Sequence, residues 1–240
     1  MTDPADLGEI VVMGQRRTSF DQGWPQRPTP MDDGLPTLVN DADGGGDPID
    51  PCSVPFLRQN WNTDAAAARA IKEIKDVAQH SPATGGRGTS TREYGTVLWE
   101  MPDGSVIHGP IAWGEHTFQE AANSENGRAG VVLDWTSPGE GAAPIGTVHT
   151  HAPGDHRPSG LPGVNNAGDY GTLTSTQEWR AYYGANGQHA RLYVGADNLV
   201  GANQTPTMQI NIYSPQNIEA AVRGSYVGPQ VNPDGQPCGS

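Results

Sequence analysis

Cysteine is scarce in this chain, with only Cys52 and Cys238 among 240 residues. Because the two residues stand so far apart, they cannot form the closely spaced cysteine pairs of a structural zinc site. Either the two thiols join in a disulfide that ties the two ends of the folded region together in an oxidising compartment, or they are unrelated. The sequence leaves both alternatives open.

Basic residues and long apolar runs are also few. The chain has 14 lysines and arginines against 27 acidic residues, a net charge of −13, and no basic stripe offsets that excess. A phosphate backbone or an anionic membrane surface would repel such a chain, which excludes nucleic acid and membrane surfaces as partners. No apolar stretch reaches the length of about 18 residues that a membrane span needs. The N-terminus also lacks the basic start and the apolar run of a secretory signal.

Glycine and proline are abundant, at 32 and 21 residues, and they divide the chain into three parts. Residues 1–52 are rich in Pro, Gly and Asp and are expected to form a flexible leader or linker with one strand-like run, Glu9–Met13. Residues 53–223 carry the periodic apolar patterns of a folded domain. Residues 224–240 are expected to form a second flexible segment, a C-terminal tail.

Helical and strand-like patterns are mixed within the domain. Alanines and apolar residues at helical spacing predict a helix over Thr63–Gln79, with Thr63 as its N-cap, and a second helix begins near Asp169. Strands are predicted at residues 94–101, 105–109, 131–135, 145–151, 190–194 and 208–213. This mixture indicates an α+β fold in which helices flank a mixed β-sheet.

The segment that indicates chemistry is His149-Thr150-His151, at the end of a predicted strand. Residues two apart in a strand point to the same face, so that both imidazoles can bind one zinc ion. A catalytic zinc site takes a third protein ligand and leaves its fourth position for water. Asp169, at the start of the following helix, is placed to supply that ligand.

Two further features accompany the histidines. Ser159 follows His151 after seven residues, and the segment Arg92–Gly95 places Glu93 at the start of an earlier strand. The histidine pair, the serine at this spacing and the upstream glutamate resemble the JAB/MPN (JAMM) metallopeptidases. The Arg-Glu-Tyr-Gly segment resembles a poorly characterised bacterial subgroup of them. The resemblance covers residues 63–213 and implies a cytidine-deaminase-like, JAMM-type mixed sheet.

The chain departs from the family pattern after the serine. Pro162 stands where the family has its aspartate, so that the use of Asp169 requires a seven-residue insertion in the loop. In a second alignment Asn166, rather than Ser159, stands in the place of the serine. The two residues therefore compete for one role.

The resemblance implies a role for each site residue. His149, His151 and Asp169 would bind Zn²⁺. Glu93 would take a proton from the attacking water and deliver it to the leaving amine. Ser159, or its competitor in the second alignment, would donate a hydrogen bond to the oxyanion that forms during hydrolysis.

Each role has alternatives. Asp155 and His156 lie nearer to the histidines in sequence and could replace Asp169 as the third ligand. Glu100 and Glu115 are second choices for the base, although one stands far along its strand and the other on a predicted loop. Carboxylates are also common at solvated strand ends and in the first turns of helices, where they bind nothing.

The predicted function is zinc-dependent hydrolysis of an amide, peptide or isopeptide bond in a protein or peptide substrate. The alternative is a metal-free JAMM-like binding or scaffold domain, which the broken serine-to-aspartate spacing favours. A zinc deaminase is excluded because the His-x-Glu and Pro-Cys-x-x-Cys motifs are missing.

A second resemblance concerns the cellular setting. The run Glu9–Arg17 and the polar leader resemble the junctions that precede the toxin domains of large secreted bacterial proteins. This resemblance implies a bacterial effector with an immunity or chaperone protein as partner. Export would then use a dedicated secretion system or a longer chain, and a cytoplasmic protein is the alternative.

Overall fold

The computed structural model describes residues 11–14, 50–82, 85–86, 88–123, 129–160, 168–199, 207–232 and 234–238. Nearly all of the leader expected at residues 1–52 lies outside these ranges, and so do Pro162 and Asn166. The α-helices are α1 (Pro55–His80), α2 (Phe118–Asn123), α3 (Gly168–Tyr182) and α4 (Ile218–Val222). The strands are β1 (Val11–Gly14), β2 (Tyr94–Glu100), β3 (Val106–His108), β4 (Ala112–Trp113), β5 (Ala129–Val132), β6 (Ala143–Thr150), β7 (Arg191–Asp197) and β8 (Met208–Tyr213).

The strands form one large sheet and one small one. The large sheet has the order β3-β2-β6-β7-β8, and β4 pairs with the start of β2. Its neighbouring strands are antiparallel except β6 and β7, which run parallel. β1 and β5 form a separate antiparallel pair. The predicted α+β class, a mixed sheet flanked by helices, is confirmed.

Helix α1 covers one face of the large sheet. Its small residues let it lie close to the strands, and Ala70 and Ile74 are fully buried. They belong to one core cluster with Leu98, Val148 and Tyr193 from three adjacent strands. Each aliphatic side chain buried in this way stabilises the fold by roughly 1.5–3 kcal/mol. This cluster fixes the sheet against the helix and so determines which strand residues face the other side.

The start of α1 differs from the prediction. The helix begins at Pro55 and not at Thr63, because proline is well suited to a first helical position, where an amide would have no partner. Thr63 lies inside the helix, and its hydroxyl donates to the Gln59 carbonyl one turn earlier. Although α1 has 26 residues, none of the described helices is both long and apolar enough to cross a membrane.

The opposite face of the large sheet packs against α3 and the small sheet. Val97 and Trp99 of β2 are buried there with Leu133, which follows β5. Further along the same face, Leu173 of α3 packs against Leu192 of β7. Since side chains alternate along a strand, residues 149 and 97 share the α3 side of the sheet with these apolar residues. The functional site is built at one end of this layer.

The described part of the C-terminal segment lies along β8, the edge strand of the large sheet. The Pro229 carbonyl accepts a hydrogen bond from the Ile212 amide, and the Val231 amide donates to the Ile210 carbonyl, both at 2.9 Å. The segment thus covers backbone groups that an edge strand would otherwise expose. The flexible tail expected over residues 224–240 thus includes residues that hydrogen-bond to the edge of β8.

The two cysteines form a disulfide, which decides between the two alternatives that the sequence left open. Cys52 lies in the turn before α1, Cys238 lies at the end of the C-terminal segment, and their Cα atoms are 5.4 Å apart. The bond closes a loop with a sequence separation of 186. A loop of this length restricts the unfolded chain strongly, by about 5 kcal/mol in the chain-entropy description.

Candidate metal centre

The strand β6 presents the two histidines. All eight of its residues are buried, since β2 and β7 flank the strand and α1 and α3 lie on its two faces. His149 lies in the strand. His151 follows it and extends the pairing with β7, because its amide donates to the Gly195 carbonyl at 2.8 Å. The Nε2 atoms of the two rings are 3.0 Å apart, which confirms that the rings converge as the two-residue spacing predicts.

Asp169 completes the group from the first turn of α3. Its Oδ1 lies 2.8 Å from His149 Nε2, and its Oδ2 lies 3.2 Å from His151 Nε2. The two histidines and the aspartate are only 0%, 3% and 0% exposed, so they form a buried polar group with no competing bulk water. One ligand atom from each residue lies within 4.8 Å of the others, and the group could hold a metal ion.

Ser159 lies against Asp169. Its amide donates to Asp169 Oδ2, its hydroxyl oxygen accepts from the Asp169 amide at 3.3 Å, and its carbonyl accepts from the Tyr170 amide at 3.1 Å. The serine is buried with the rest of the site. The structure therefore brings together the histidines, the aspartate and the serine that the sequence singled out, although seventeen positions separate His151 from the next helix start.

Glu93 lies beside this group, directly before β2. β2 pairs with β6 in a register that places Gly95 opposite His149, so that Glu93 comes next to His151. The Glu93 carbonyl accepts from the Gly114 amide at 2.8 Å, and the following amide, that of Tyr94, donates to Thr150 Oγ1 at 3.0 Å. Glu93 is 1% exposed, and its charge acts on the His151 ring.

Gly95 is a site residue that sequence reasoning missed. A Cβ atom at this position would lie 2.7 Å from Leu133 Cδ2, 3.0 Å from the Val148 carbonyl oxygen and 3.1 Å from His149 Cβ. Such distances are too short for ordinary packing, so that a glycine is required where β2 passes His149. The glycine of the Arg92–Gly95 segment was the available signal, and its reason is the space that the histidine occupies.

In this group, neighbouring charges outweigh the effect of burial on the pKa values of Asp169 and His151. For Asp169, burial alone raises the pKa, but the charges and hydrogen bonds of His149 and His151 outweigh it and hold the pKa well below its usual range. For His151, burial lowers the pKa, but Asp169 and then Glu93 raise it to about 9. The aspartate is therefore ionised at neutral pH while His151 holds a proton, and a metal ion that binds here would displace that proton.

The alternative candidates lie outside the group. Among the described residues, the one group with convergent ligand atoms contains neither Asp155 nor His156, although the charge of Asp155 acts on His151. Glu100 is at the far end of β2, where it forms an ion pair with Arg180. Glu115 is exposed. Asp169 is thus the third member that the structure provides, and Glu93 is the glutamate beside it.

The chain was compared with models of protein families, with curated proteins and with solved structures, and none of them matches. The description of the site therefore depends only on the sequence and structure of this chain.

Proposed function

We propose that the protein is a zinc-dependent hydrolase of the JAMM type that cleaves an amide, peptide or isopeptide bond in a protein or peptide substrate. The observation that carries the proposal is the buried convergence of His149, His151 and Asp169 beside Glu93. A buried charged cluster of this kind destabilises a fold unless its members are compensated, which is why such clusters mark functional sites.

Zinc is the ion that the donor set favours. Two imidazole nitrogens and one carboxylate oxygen are the ligands of many catalytic zinc sites, which keep one further position for a small molecule. When bound, the ion supplies Lewis acidity, which lowers the pKa of a water molecule and polarises a carbonyl group. Magnesium and calcium prefer oxygen ligands alone, so a group with two histidines disfavours them.

Glu93 is proposed as the general base and acid. The β2–β6 register brings Glu93 next to His151, and the charge of its carboxylate acts on the His151 ring. The carboxylate takes a proton from the attacking water and then donates it to the nitrogen of the leaving amine. Ser159 is the proposed donor of a hydrogen bond to the oxyanion, which is the role that the resemblance implies for it.

A binding or scaffold domain without catalysis is the second candidate, and one observation favours it. Glu93 is 1% exposed and His151 is 3% exposed, so the group is closed to solvent as the chain is folded here. A hydrolase must admit its substrate to this group. The proline at position 162 of the sequence, in place of the family's aspartate, favours the same candidate.

The cellular setting belongs to the proposal as well. The resemblance of residues 9–17 to toxin-domain junctions supports a bacterial effector that meets an immunity or chaperone protein and is exported within a longer chain or by a dedicated system. The disulfide supports maturation in an oxidising compartment, since such bonds do not persist in a reducing cytosol.

Metal analysis of the purified protein tests the site. We expect one zinc per chain in the wild type and none in His149→Ala or Asp169→Ala. The matched control is His108→Ala, because His108 is paired with Glu73 at 3.2 Å and lies outside the group. Zinc that persists in Asp169→Ala would remove this residue from the site and point to Asp155 or His156.

Cleavage assays separate the two candidate functions. Glu93→Gln keeps the size of the side chain but cannot accept a proton, so the hydrolase proposal expects full metal content and loss of cleavage of peptide and isopeptide substrates. Equal cleavage by this variant and the wild type would exclude Glu93 as the base. A wild type that binds zinc and cleaves no member of a broad substrate panel would support the scaffold candidate.

A further inference from the structure

Ser159 binds the first turn of α3 through all three of its polar atoms. Its amide and its hydroxyl oxygen both bond to Asp169, one to the side chain and one to the backbone, and its carbonyl accepts from Tyr170. Ten positions separate Ser159 from Asp169. The contact therefore ties the two ends of a loop together and is not a local cap of the kind found within one turn of a helix.

Gly168 shows how closely the two ends approach. This residue has a φ of +65°, and a Cβ atom added to it would lie 2.6 Å from Ser159 Oγ and 2.8 Å from the Gly160 amide nitrogen. A left-handed glycine is therefore needed directly before Asp169 so that the serine hydroxyl can reach the Asp169 amide. The serine and the glycine together set where α3 begins.

The start of α3 decides the position of the carboxylate. The Asp169 carboxylate oxygens reach the Nε2 atoms of His149 and His151 at 2.8 Å and 3.2 Å from a helix that the loop 151–167 separates from β6. One of those oxygens, Oδ2, also accepts the Ser159 amide hydrogen. A hydrogen bond from a neighbour to a ligating carboxylate fixes the orientation of that ligand and changes metal affinity by roughly 10–100-fold when it is lost.

We propose that Ser159 is a positioning residue that holds Asp169 in place as a metal ligand. This inference rests on the proposed metal site and adds to it a residue that acts through Asp169. The positioning role is additional to the oxyanion role proposed above, and the two roles predict different effects. Loss of an oxyanion donor slows turnover and leaves the affinity for metal unchanged, whereas loss of a positioning residue weakens the affinity for metal in the absence of any substrate.

The test is a titration with Zn²⁺ alone, in competition with a chromophoric chelator. The proteins are the wild type, Ser159→Ala, Ser159→Thr and the matched control Ser137→Ala. Ser137 is a suitable control because its hydroxyl also bonds within a loop, to Gly139, but in an exposed segment outside the metal group. We expect zinc affinity to fall by roughly 10–100-fold in Ser159→Ala. It recovers in large part in Ser159→Thr and does not change in Ser137→Ala.

A spectroscopic measurement and a second variant complement the zinc titration. The visible absorption of bound Co²⁺ reports the ligand geometry, and we expect its bands to shift in Ser159→Ala but not in Ser137→Ala. If Ser159→Ala does not fold, Gly168→Ala takes its place, since it leaves the hydroxyl present but displaces it, and the same loss of affinity is expected.

The outcomes separate this inference from the function proposed above. Equal zinc affinity in the wild type and Ser159→Ala would overturn the positioning role alone and leave the metal site standing. A wild type that binds neither Zn²⁺ nor Co²⁺ would overturn the metal site, and the positioning role would fall with it.

Discussion

The two ends of β2 and β6 both bury charged side chains, but they do so in different ways. At one end, Glu100 meets Arg180 at 2.9 Å, and the same guanidinium also donates to the carbonyls of Pro144 and Asn186 at 3.2 Å and 3.0 Å. Arg180 is 1% exposed. Every charge at this end has a permanent partner of opposite sign or a carbonyl, so the end is complete as folded.

At the other end, the described group consists of the carboxylates of Glu93 and Asp169 and the imidazoles of His149 and His151. Glu93 and Asp169 supply negative charge, which outweighs the effect of burial and raises the pKa of His151. A divalent cation would balance the same charges without a proton. Burial alone therefore does not identify a functional site. The informative feature is the convergence of two imidazoles and a carboxylate that could hold a metal ion.

Removal of Arg180 tests the end of β2 and β6 that contains the Glu100–Arg180 ion pair. We expect it to have the largest effect on the free energy of unfolding. Arg180→Met leaves Glu100 partly buried without its partner, and breaking a buried pair in this way costs about 3–5 kcal/mol. Because the Glu100 side chain remains 22% exposed, we expect the lower part of this range. Chemical denaturation measures the change. Zinc content should not change, and Arg180→Met with Glu100→Gln should recover much of the lost stability.

Metal removal tests the other end. An ion that binds only the folded protein stabilises it by about 2.7 kcal/mol when its free concentration is 100 times the dissociation constant. We therefore expect zinc to raise the melting temperature of the wild type and a chelator to reverse this. Arg180→Met should show the same zinc-dependent shift, and Asp169→Asn should show none. An equal shift of the melting temperature in Asp169→Asn would contradict the prediction that zinc binds at the end of the sheet that contains Asp169.

Gly95→Ala tests whether the proposed metal site requires a residue without a side chain where β2 passes His149. The added methyl group would meet Leu133 and the His149 Cβ at distances near 3 Å, and overpacking of this kind costs about 1–3 kcal/mol. Zinc affinity should fall because His149 is displaced. The control is Gly109→Ala, where the nearest atoms lie at 3.5–3.6 Å, an ordinary contact. Calorimetry and zinc titration of both variants decide the point, and equal effects would contradict the prediction.

Asp64 is a further carboxylate that is largely removed from solvent, and its replacement is expected to have the smallest effect. Burial raises its pKa from 3.8 to about 6, although it accepts a hydrogen bond from Tyr193 and lies near Arg191. Because the folded pKa is the higher one, folding takes up a proton between about pH 4 and pH 6, and stability falls as pH rises through this window.

Asp64→Asn should therefore stabilise the protein at pH 7.5. The pKa difference of about two units sets an upper limit of about 3 kcal/mol, and partial exposure reduces the expected gain to about 1–2 kcal/mol. The gain should vanish below about pH 4, where the wild-type carboxyl is protonated in both states. Melting temperatures measured across this pH range test the prediction, and a gain that does not depend on pH would contradict it.

Local patterns predicted much of the fold and the position of the site. The spacing of His149 and His151 indicated convergent imidazoles, the apolar runs placed six strands, and a helix was expected to begin near Asp169, one residue after its observed start. Such features depend on residues close in sequence, since the periodicity of one strand or helix decides them. The α+β class followed from the mixture of these patterns.

What the sequence could not predict depends on long-range packing. Glu100 and Arg180 are 80 positions apart, and no local pattern indicates that their side chains meet. The requirement for Gly95 arises from Leu133, which follows β5, and from His149 of β6. The start of α1 was missed because Pro55 and the turn before it have no apolar periodicity to mark them.

The bond between Cys52 and Cys238 makes the domain a covalent ring. Tension applied to the chain on either side of this ring would pass through the two sulfur atoms and not through the sheet, so that pulling on the flanking residues does not unravel the strands between them. A ring also cannot be threaded through a pore that admits a single extended strand. Any such passage must take place while the thiols are reduced, and the bond must close on the far side.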